Sequence, residues 1–407
     1  MTQAIQLYLD SINKQGGINN QKIVLDIFDD QNDANQALKV AQDIVEQNRA
    51  VAVIGHHYSV CSINGGKVYK KHGIPAITPA STHIDVTQDN KWYFRTVFND
   101  KLQARFLAHY AKRILHQNTV SIISTDETYG SSLASLFEKA SKNLIDIKYK
   151  WLLSSNKNLE PQMAQIVSDL QTKPDAGLIF LATHAPEGVK LVKLIRDAEI
   201  KNPLIAPDSY AGKSFSEGFL NYPKEKLTPG YYTNGIYVSA PFILNTANKQ
   251  AYAFNTLYQK QFQEKPPWHA FYAVADRNKI RDILLNQFDT PEHAVKGSTG
   301  LNYFDENGDV LKSVSMGVYK NNHLISTFNQ LQIMPPETIA QVDLTRQEGR
   351  YRVKGHFKGN LYSSKHHISL IQQLLSINFR HRHLDRKHLN TLTLETGLNS
   401  RHSMPKP

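Results

Sequence analysis

Cysteine is almost absent: Cys61 stands alone among 407 residues. A single thiol excludes an internal disulfide framework, so the chain must be held by its own core. With no His or Asn constellation arguing for a nucleophile, Cys61 reads as a small buried hydrophobe. Long apolar runs are absent as well. The most apolar stretch, ISLIQQLLSINF at 368–379, is shorter than the ~20 residues of a membrane span and has polar interruptions. No leader pattern opens the chain. Nor is there a nucleophile–base pair, a glycine loop for phosphate or a set of metal ligands, so neither enzyme chemistry nor a cofactor or metal is expected.

Positive charge is in excess but badly distributed. The formal charge is +11. Residues 351–407 hold ten Lys or Arg against Asp385 and Glu395, which places +8 there and leaves +3 for the other 350 residues. A nearly neutral body gives no reason to expect nucleic acid as a partner.

What is present is an alternation. The chain begins inside a helix, MTQAIQLYLDSINKQGG, with Ile5, Leu9 and Ile12 on one face and Gly16-Gly17 as its stop. A strand, KIVLDIFDD (22–30), is expected next, then a helix capped by Asp33 and running through Ala37, Ala41, Ile44 and Val45. VAVIG (51–55), a helix over about 60–72, and IPAIT follow. TVSIIS (119–124), AGLIFLAT (176–183) and PLIAP (203–207) repeat the theme with helices between them. Short apolar strands alternating with amphipathic helices predict parallel βαβ units with both sheet faces covered. Two such series predict an α/β architecture of two Rossmann-like lobes with a cleft between them. In open parallel sheets the ligand sits beyond the carboxyl ends of the strands.

Those ends carry little charge. After AVIG comes Ser59, at the start of a helix, where a hydroxyl and free N–H groups make an anion-binding corner or simply a helix cap. After PAIT comes Pro79, then Ala80, Ser81 and Thr82: two hydroxyls and bare backbone, reading either as a polar turn or as neutral donors for a carboxylate. Tyr129 with Gly130 follows SIIS, His184 follows IFLA, and Asp208 follows PLIA. An acid in the second series opposite a carboxylate site in the first suits an ammonium group, and the set suggests a free amino acid.

The segments GGINNQKIVLDIFDDQNDANQALKVAQDIVEQN, AVIGHHYS, GIPAITPAST, YFRTVFND, the YG after a strand, and LIAPDSYAG lie in order over roughly residues 2–325. In this the chain resembles the type I periplasmic solute-binding proteins, in their branched-chain amino acid-binding branch, and the related receptor ligand-binding regions. The resemblance implies a hinged cleft with residues 1–115 as lobe 1 (return segment about 230–270) and 116–229 as lobe 2 (with part of 271–335). It implies that Ser59 and the turn Ala80, Ser81 and Thr82 hold a ligand carboxylate. The Ala80 carbonyl and Asp208 would hold the ammonium, and Tyr129 would close from the second lobe. His184 stands where the branched-chain relatives often have an aromatic residue, which favours a polar or acidic ligand. Tyr58 and His269 are secondary candidates.

The implied activity is extracytoplasmic binding of an amino acid or similar small polar solute. The implied partner is the membrane permease of an ABC transporter; alternatively, the chain is the ectodomain of a receptor with a signalling module. A periplasmic or extracellular location goes with either. The resemblance also implies that the family's first strand and the loop after it are missing, as in a truncated or misannotated product.

Three further features fall outside that pattern. DENGD (305–309) is expected as a hairpin turn at Asn307-Gly308, because its Gly308 is in the wrong position for a calcium loop. PPWHAFYAV (266–274) brings Trp268, His269 or Tyr272 either to the cleft or into core packing. RHRHLDRKH (380–388) lacks ligand spacing, and the basic, His-rich stretch 340–407 is expected as a disordered or foreign tail.

Overall fold

The computed structural model describes residues 1–331 apart from 19, 276–294, 303, 306 and 311, together with 341–347, 350–356 and 393–396. Residues 1–333 make one unit and residues 334–407 another.

Three parallel strands form the sheet of the first lobe. They are β1 (Val53–Ile54), β2 (Ala76–Thr78) and β3 (Tyr93–Arg95), in that order across the sheet. α1 (Thr2–Lys14), α2 (Ala34–Gln47) and α3 (Ser59–His72) surround them. The Asp33 side chain caps α2 by accepting the N–H groups of Asn35 at 2.9 Å and Gln36 at 2.8 Å. Ala41, Val68, Tyr69, Ala76, Val86 and Tyr93 form the core between α2, α3 and the sheet.

The strand expected at 22–30 is not formed. A strand exists only in a ladder, and no described strand lies beside this segment to pair with it. Among the described residues, the N–H groups of Val24 to Asp30 find no acceptor in the protein. Side chains tie the segment to the β1 region, through Asp30 Oδ2 to His56 Nδ1 at 2.6 Å, Asp26 to Arg49 at 3.1 Å and the apolar cluster that Ile23 and Leu25 share with Ile54. Ile23 and Leu25 pack beside Ile5 and Leu9 of α1, but Val24 is 80% and Ile27 65% exposed, so only part of the apolar pattern that reads as a buried strand is covered. Hydrogen exchange should show it: the amides of Val24 to Asp30 are expected to exchange like those of an open loop, while those of β2 are protected. Protection of both alike would count against this arrangement.

The second lobe is built on seven strands in the order β12-β11-β8-β7-β6-β4-β5. Strands β4 (Thr119–Thr125), β5 (Asp146–Leu153), β6 (Leu178–Ala182), β7 (Leu204–Ala206) and β8 (Tyr237–Ala240) run parallel. β11 (Ser315–Lys320) and β12 (His323–Ser326) close one edge antiparallel. Helices α4 (Asp100–Arg113), α5 (Thr128–Ser141), α6 (Leu159–Thr172), α7 (Ala185–Asp197) and the short α8 (Lys213–Ser216) and α9 (Pro223–Leu227) belong to this half of the chain. α4 packs with β4, β6 and α5 through Ala104, Phe106, Leu107 and Tyr110. The chain therefore enters the second core at Val97, earlier than the expected boundary at 115. Gly130 lets α5 start close to the sheet, since a Cβ there would stand 2.2 Å from Thr125 Oγ1 and 2.7 Å from the Ala182 carbonyl.

α10 (Lys249–Phe262) and α11 (Trp268–Ala275) return to the first lobe, where Ala251, Phe254, Tyr258, Ala270 and Phe271 pack with Ala4 of α1. A two-stranded ribbon, β9 (Val295–Gly297) and β10 (Gly300–Asn302), follows. At the expected turn the Gly308 N–H donates to the Asp305 carbonyl at 3.0 Å, with Gly308 at φ +80°. Among the described residues its ladder shows one bridge, Phe304 to Val310, and β11 pairs with β8 and β12. The chain thus crosses between the cores three times, near 96, 241 and 312.

In the second unit β13 (Gln341–Gln347) and β14 (Arg350–His356) are antiparallel, and β15 (Thr393–Thr396) runs parallel to β14. These strands stand in the stretch expected as a disordered tail. The RHRHLDRKH motif lies outside the described residues.

Candidate functional site

Two strand ends of the first lobe make the corner. Thr78, the last residue of β2, folds it. Its hydroxyl accepts the N–H groups of Ala80 at 3.2 Å and Ser81 at 3.0 Å, and donates to the His56 carbonyl at 2.8 Å. The Ser81 hydroxyl is turned away from the cleft, onto the His57 carbonyl at 3.1 Å and the Ser62 hydroxyl at 2.7 Å. Ser81 therefore joins the turn to the start of α3, rather than adding a free hydroxyl. The Ser59 hydroxyl accepts the His83 N–H at 3.3 Å and keeps its own proton to donate. Among the described residues, the Thr82 N–H has no acceptor and the Ala80 carbonyl no donor. The corner thus offers one hydroxyl proton, one N–H and one carbonyl, all neutral.

Arg95, which the sequence reading passed over, braces this corner. It is fully buried and uses all five of its N–H donors. Nη1 donates to the carbonyls of Ser81 at 3.3 Å and His83 at 2.7 Å. Nε and Nη2 donate to Asp309 Oδ1 at 2.9 and 2.7 Å, and Nη2 also to the Thr87 hydroxyl at 2.7 Å. Asp309 belongs to the DENGD turn, so that turn anchors the guanidinium under the corner.

Across the cleft, Asp208 follows β7 and is 4% exposed. Its Oδ1 accepts the Tyr129 hydroxyl at 2.7 Å and Gln103 Nε2 at 2.9 Å, and its own N–H donates to Gln103 Oε1 at 2.8 Å. Ser239 donates to the same Gln103 oxygen at 2.7 Å. Burial pushes the Asp208 carboxyl above its ordinary range despite those bonds. Gln103 was not legible from its surroundings in sequence, since it stands 105 residues from the acid it holds.

Three rings close the cleft. His184, ahead of α7, stacks on Tyr129 at 4.6 Å and 18° and on Tyr58 of the first lobe at 4.5 Å and 11°. Its Nε2 lies 3.7 Å from Glu127, which also accepts the N–H groups of Tyr129 and Gly130 at the start of α5. Burial raises the Glu127 carboxyl, but His184 and those two N–H groups outweigh it and hold it at about 2. His269 meets His57 edge to face at 4.9 Å. Burial lowers the His269 imidazole well below its ordinary value, and desolvation by the surrounding protein lowers that of His57, although His57 itself is exposed. His57, also missed in the sequence, still presents accessible surface. The described residues place Ser59, Ala80, Thr82, Tyr58, Tyr129, His184 and Asp208 around this cleft.

Elsewhere the surface offers less chemistry. A groove lined by Trp151, Leu152, Pro161, Gln162, Gln165 and Ile166 holds no ionisable side chain. Cys61 is buried, and burial drives its thiol up to about 12, far from a thiolate. No group of three His, Cys, Asp or Glu among the described residues could hold a metal, and no described helix is long and apolar enough to cross a membrane.

Known proteins resemble this chain in sequence and fold. Residues 1–275 match the family described as periplasmic binding protein. An amino acid binding protein of Pseudomonas aeruginosa is 31% identical over 203 residues, which cover 49% of this chain and 53% of that protein. The chain thus spans about half the length of that relative. A leucine-, isoleucine-, valine-, threonine- and alanine-binding protein of the same organism is 25% identical over 77% of this chain and 82% of its own. Among solved structures, a branched-chain amino acid transporter substrate-binding protein from Streptococcus pneumoniae, in complex with isoleucine, superposes with a TM-score of 0.69. It is 21% identical and covers 82% of this chain and 94% of its own. A solute-binding protein from R. palustris, in complex with benzoate, also reaches 0.69 at 15% identity, over 82% of this chain and 91% of its own. At such identities the likeness to structures concerns the fold: two α/β lobes of the type I binding proteins. With the family match covering well over half of its length, the chain belongs to the periplasmic binding proteins.

Proposed function

We propose that this chain binds a free amino acid or a similar small polar solute outside the cytoplasm by hinge closure, and delivers it to an ABC-type transporter. The observation that carries the reading is the opposition of two unlike half-sites. The neutral corner of Ser59, Ala80 and Thr82 offers donors for a carboxylate, and the buried acid Asp208 lies beyond it with no cation of its own among its hydrogen-bond partners. A zwitterion satisfies both. The Ala80 carbonyl is then the second acceptor for the ammonium. Closure stacks Tyr58 on His184, a contact that only the closed state can make. The reading is of a carrier and not of a catalyst, since each polar group here is placed to hold charge and none to activate a nucleophile. The names of the curated relatives, which bind amino acids, favour the same class of ligand.

Calorimetry with L-leucine against its two halves tests this. L-Leucine is expected to bind, while isopentylamine, which lacks the carboxylate, and 4-methylpentanoate, which lacks the amine, bind at least about 100-fold more weakly, since each leaves a charged half-site or its donors unpaired. Equal binding of 4-methylpentanoate would remove the role of Asp208. A panel of the other free amino acids, read by thermal shift, places the side chain.

A further inference from the structure

Beside Asp208 stands a second carboxyl that no half-site uses. Asp100 is the first residue of α4 and is fully buried. Its N–H donates to the Thr82 carbonyl at 2.8 Å, across the first crossing between the lobes. Gln103 Nε2 reaches its Oδ1 at 3.4 Å, and the same amide group donates to Asp208 Oδ1 at 2.9 Å. Its Oδ2 has no partner. Two carboxyls away from water are therefore bridged by one amide.

The charges around the pair do not resolve it. Arg95 is the cation that acts on Asp100, but its five N–H groups are spent on Asp309, Thr87 and the corner carbonyls. Glu127 adds a further negative charge toward Asp100, and His184 acts on Asp208 from the far side of Tyr129. The helix N-terminus and the Thr82 hydroxyl favour the ionised form of Asp100. Burial, with Asp208 and Glu127 behind it, outweighs them and lifts Asp100 to about 7. Like charges this close in a buried site do not both ionise, and such a pair titrates as a unit.

We propose that Asp100 and Asp208 form one bridged carboxyl pair in which a single proton on Asp100 stands in for the ligand's ammonium group until the ligand arrives. This rests on the amino acid reading of the site through the ammonium at Asp208. When the ammonium docks, its charge replaces the proton, which leaves Asp100 for the solvent: one cation enters the pair and one proton departs. Asp100 is a positioning residue for that charge balance and does not touch the ligand. Gln103 keeps the two carboxyls in register.

Two measurements on the full chain test this. The first needs no ligand. An acid raised in the folded state binds more protons folded than unfolded between its two pKa values, so stability falls as pH rises through that window. The urea midpoint of the wild type is expected to fall, relative to Asp100→Asn, between pH 5 and pH 8. Asp208→Asn, which breaks the pair from the other side, is expected to flatten the dependence as well. Parallel midpoints for the wild type and both variants overturn the pair. The second is calorimetry with L-leucine in two buffers of different ionisation heat. The wild type is expected to release up to about one proton per ligand below pH 7, its affinity rising by up to about tenfold per pH unit; Asp100→Asn is expected to release none. Leucine binding without proton release, or with release retained in Asp100→Asn, overturns the exchange. Absence of binding by leucine and by every other free amino acid of the panel overturns the amino acid reading instead, and the urea series still decides whether the pair exists.

Discussion

Asp309→Ala is expected to lower folding stability by about 3–5 kcal/mol, a large part of the 5–15 kcal/mol that holds a domain folded. The reason lies in what the carboxylate leaves behind. Asp309 accepts two bonds from the wholly buried Arg95, one from the Thr87 hydroxyl and one from Asn99 Nδ2. Alanine strands a guanidinium in the interior with two donors unpaired, and breaking a buried pair from one side costs far more than the net worth of the pair. The damage also spreads to both lobes. Asn99 caps α4 of the second lobe through the Leu102 N–H at 3.0 Å, so its amide joins that helix to a turn of the first. Urea unfolding would read the effect as a lowered midpoint at unchanged slope. A shift below about 1 kcal/mol would mean that Arg95 has another counterion.

That ion pair also marks how far the sequence could be read. The α/β rhythm was plain because strand and helix periods are local. That Ser59, Thr82, Tyr129, His184 and Asp208 stand beyond strand ends, where parallel sheets bind ligands, could be read because the strands themselves are local. Arg95 and Asp309 stand 214 residues apart, and Gln103 and Asp208 stand 105 apart. Nothing in the neighbourhood of either member announces its partner. The reverse failure is the segment 22–30. Its alternation is that of a strand, but a strand is a property of two segments, and the second is not beside it in the described structure. Ser81 shows a subtler limit. A hydroxyl in a turn is legible, yet whether it faces the cleft or the His57 carbonyl depends on how α3 packs.

Asp208→Asn is expected to weaken L-leucine binding by about 3–5 kcal/mol, roughly two to three orders of magnitude in Kd. Asparagine keeps an oxygen for the Tyr129 hydroxyl and retains nearly the same volume, so the substitution removes charge while leaving the fold's contacts largely in place. In the unliganded protein that charge is a liability, which is why burial lifts the carboxyl; the variant's folding stability should therefore stay within about 1 kcal/mol of the wild type or rise. In the complex the same charge faces a buried ammonium, and its loss leaves that ammonium without a counterion. Affinity and stability should thus separate, the first collapsing while the second holds. For 4-methylpentanoate, which carries no ammonium, binding to the variant should match or exceed binding to the wild type, because a carboxylate ligand no longer meets a negative wall. If leucine and 4-methylpentanoate lost affinity together, Asp208 would be shaping the pocket rather than holding the amine. The ammonium would then have to rest on the Ala80 carbonyl alone.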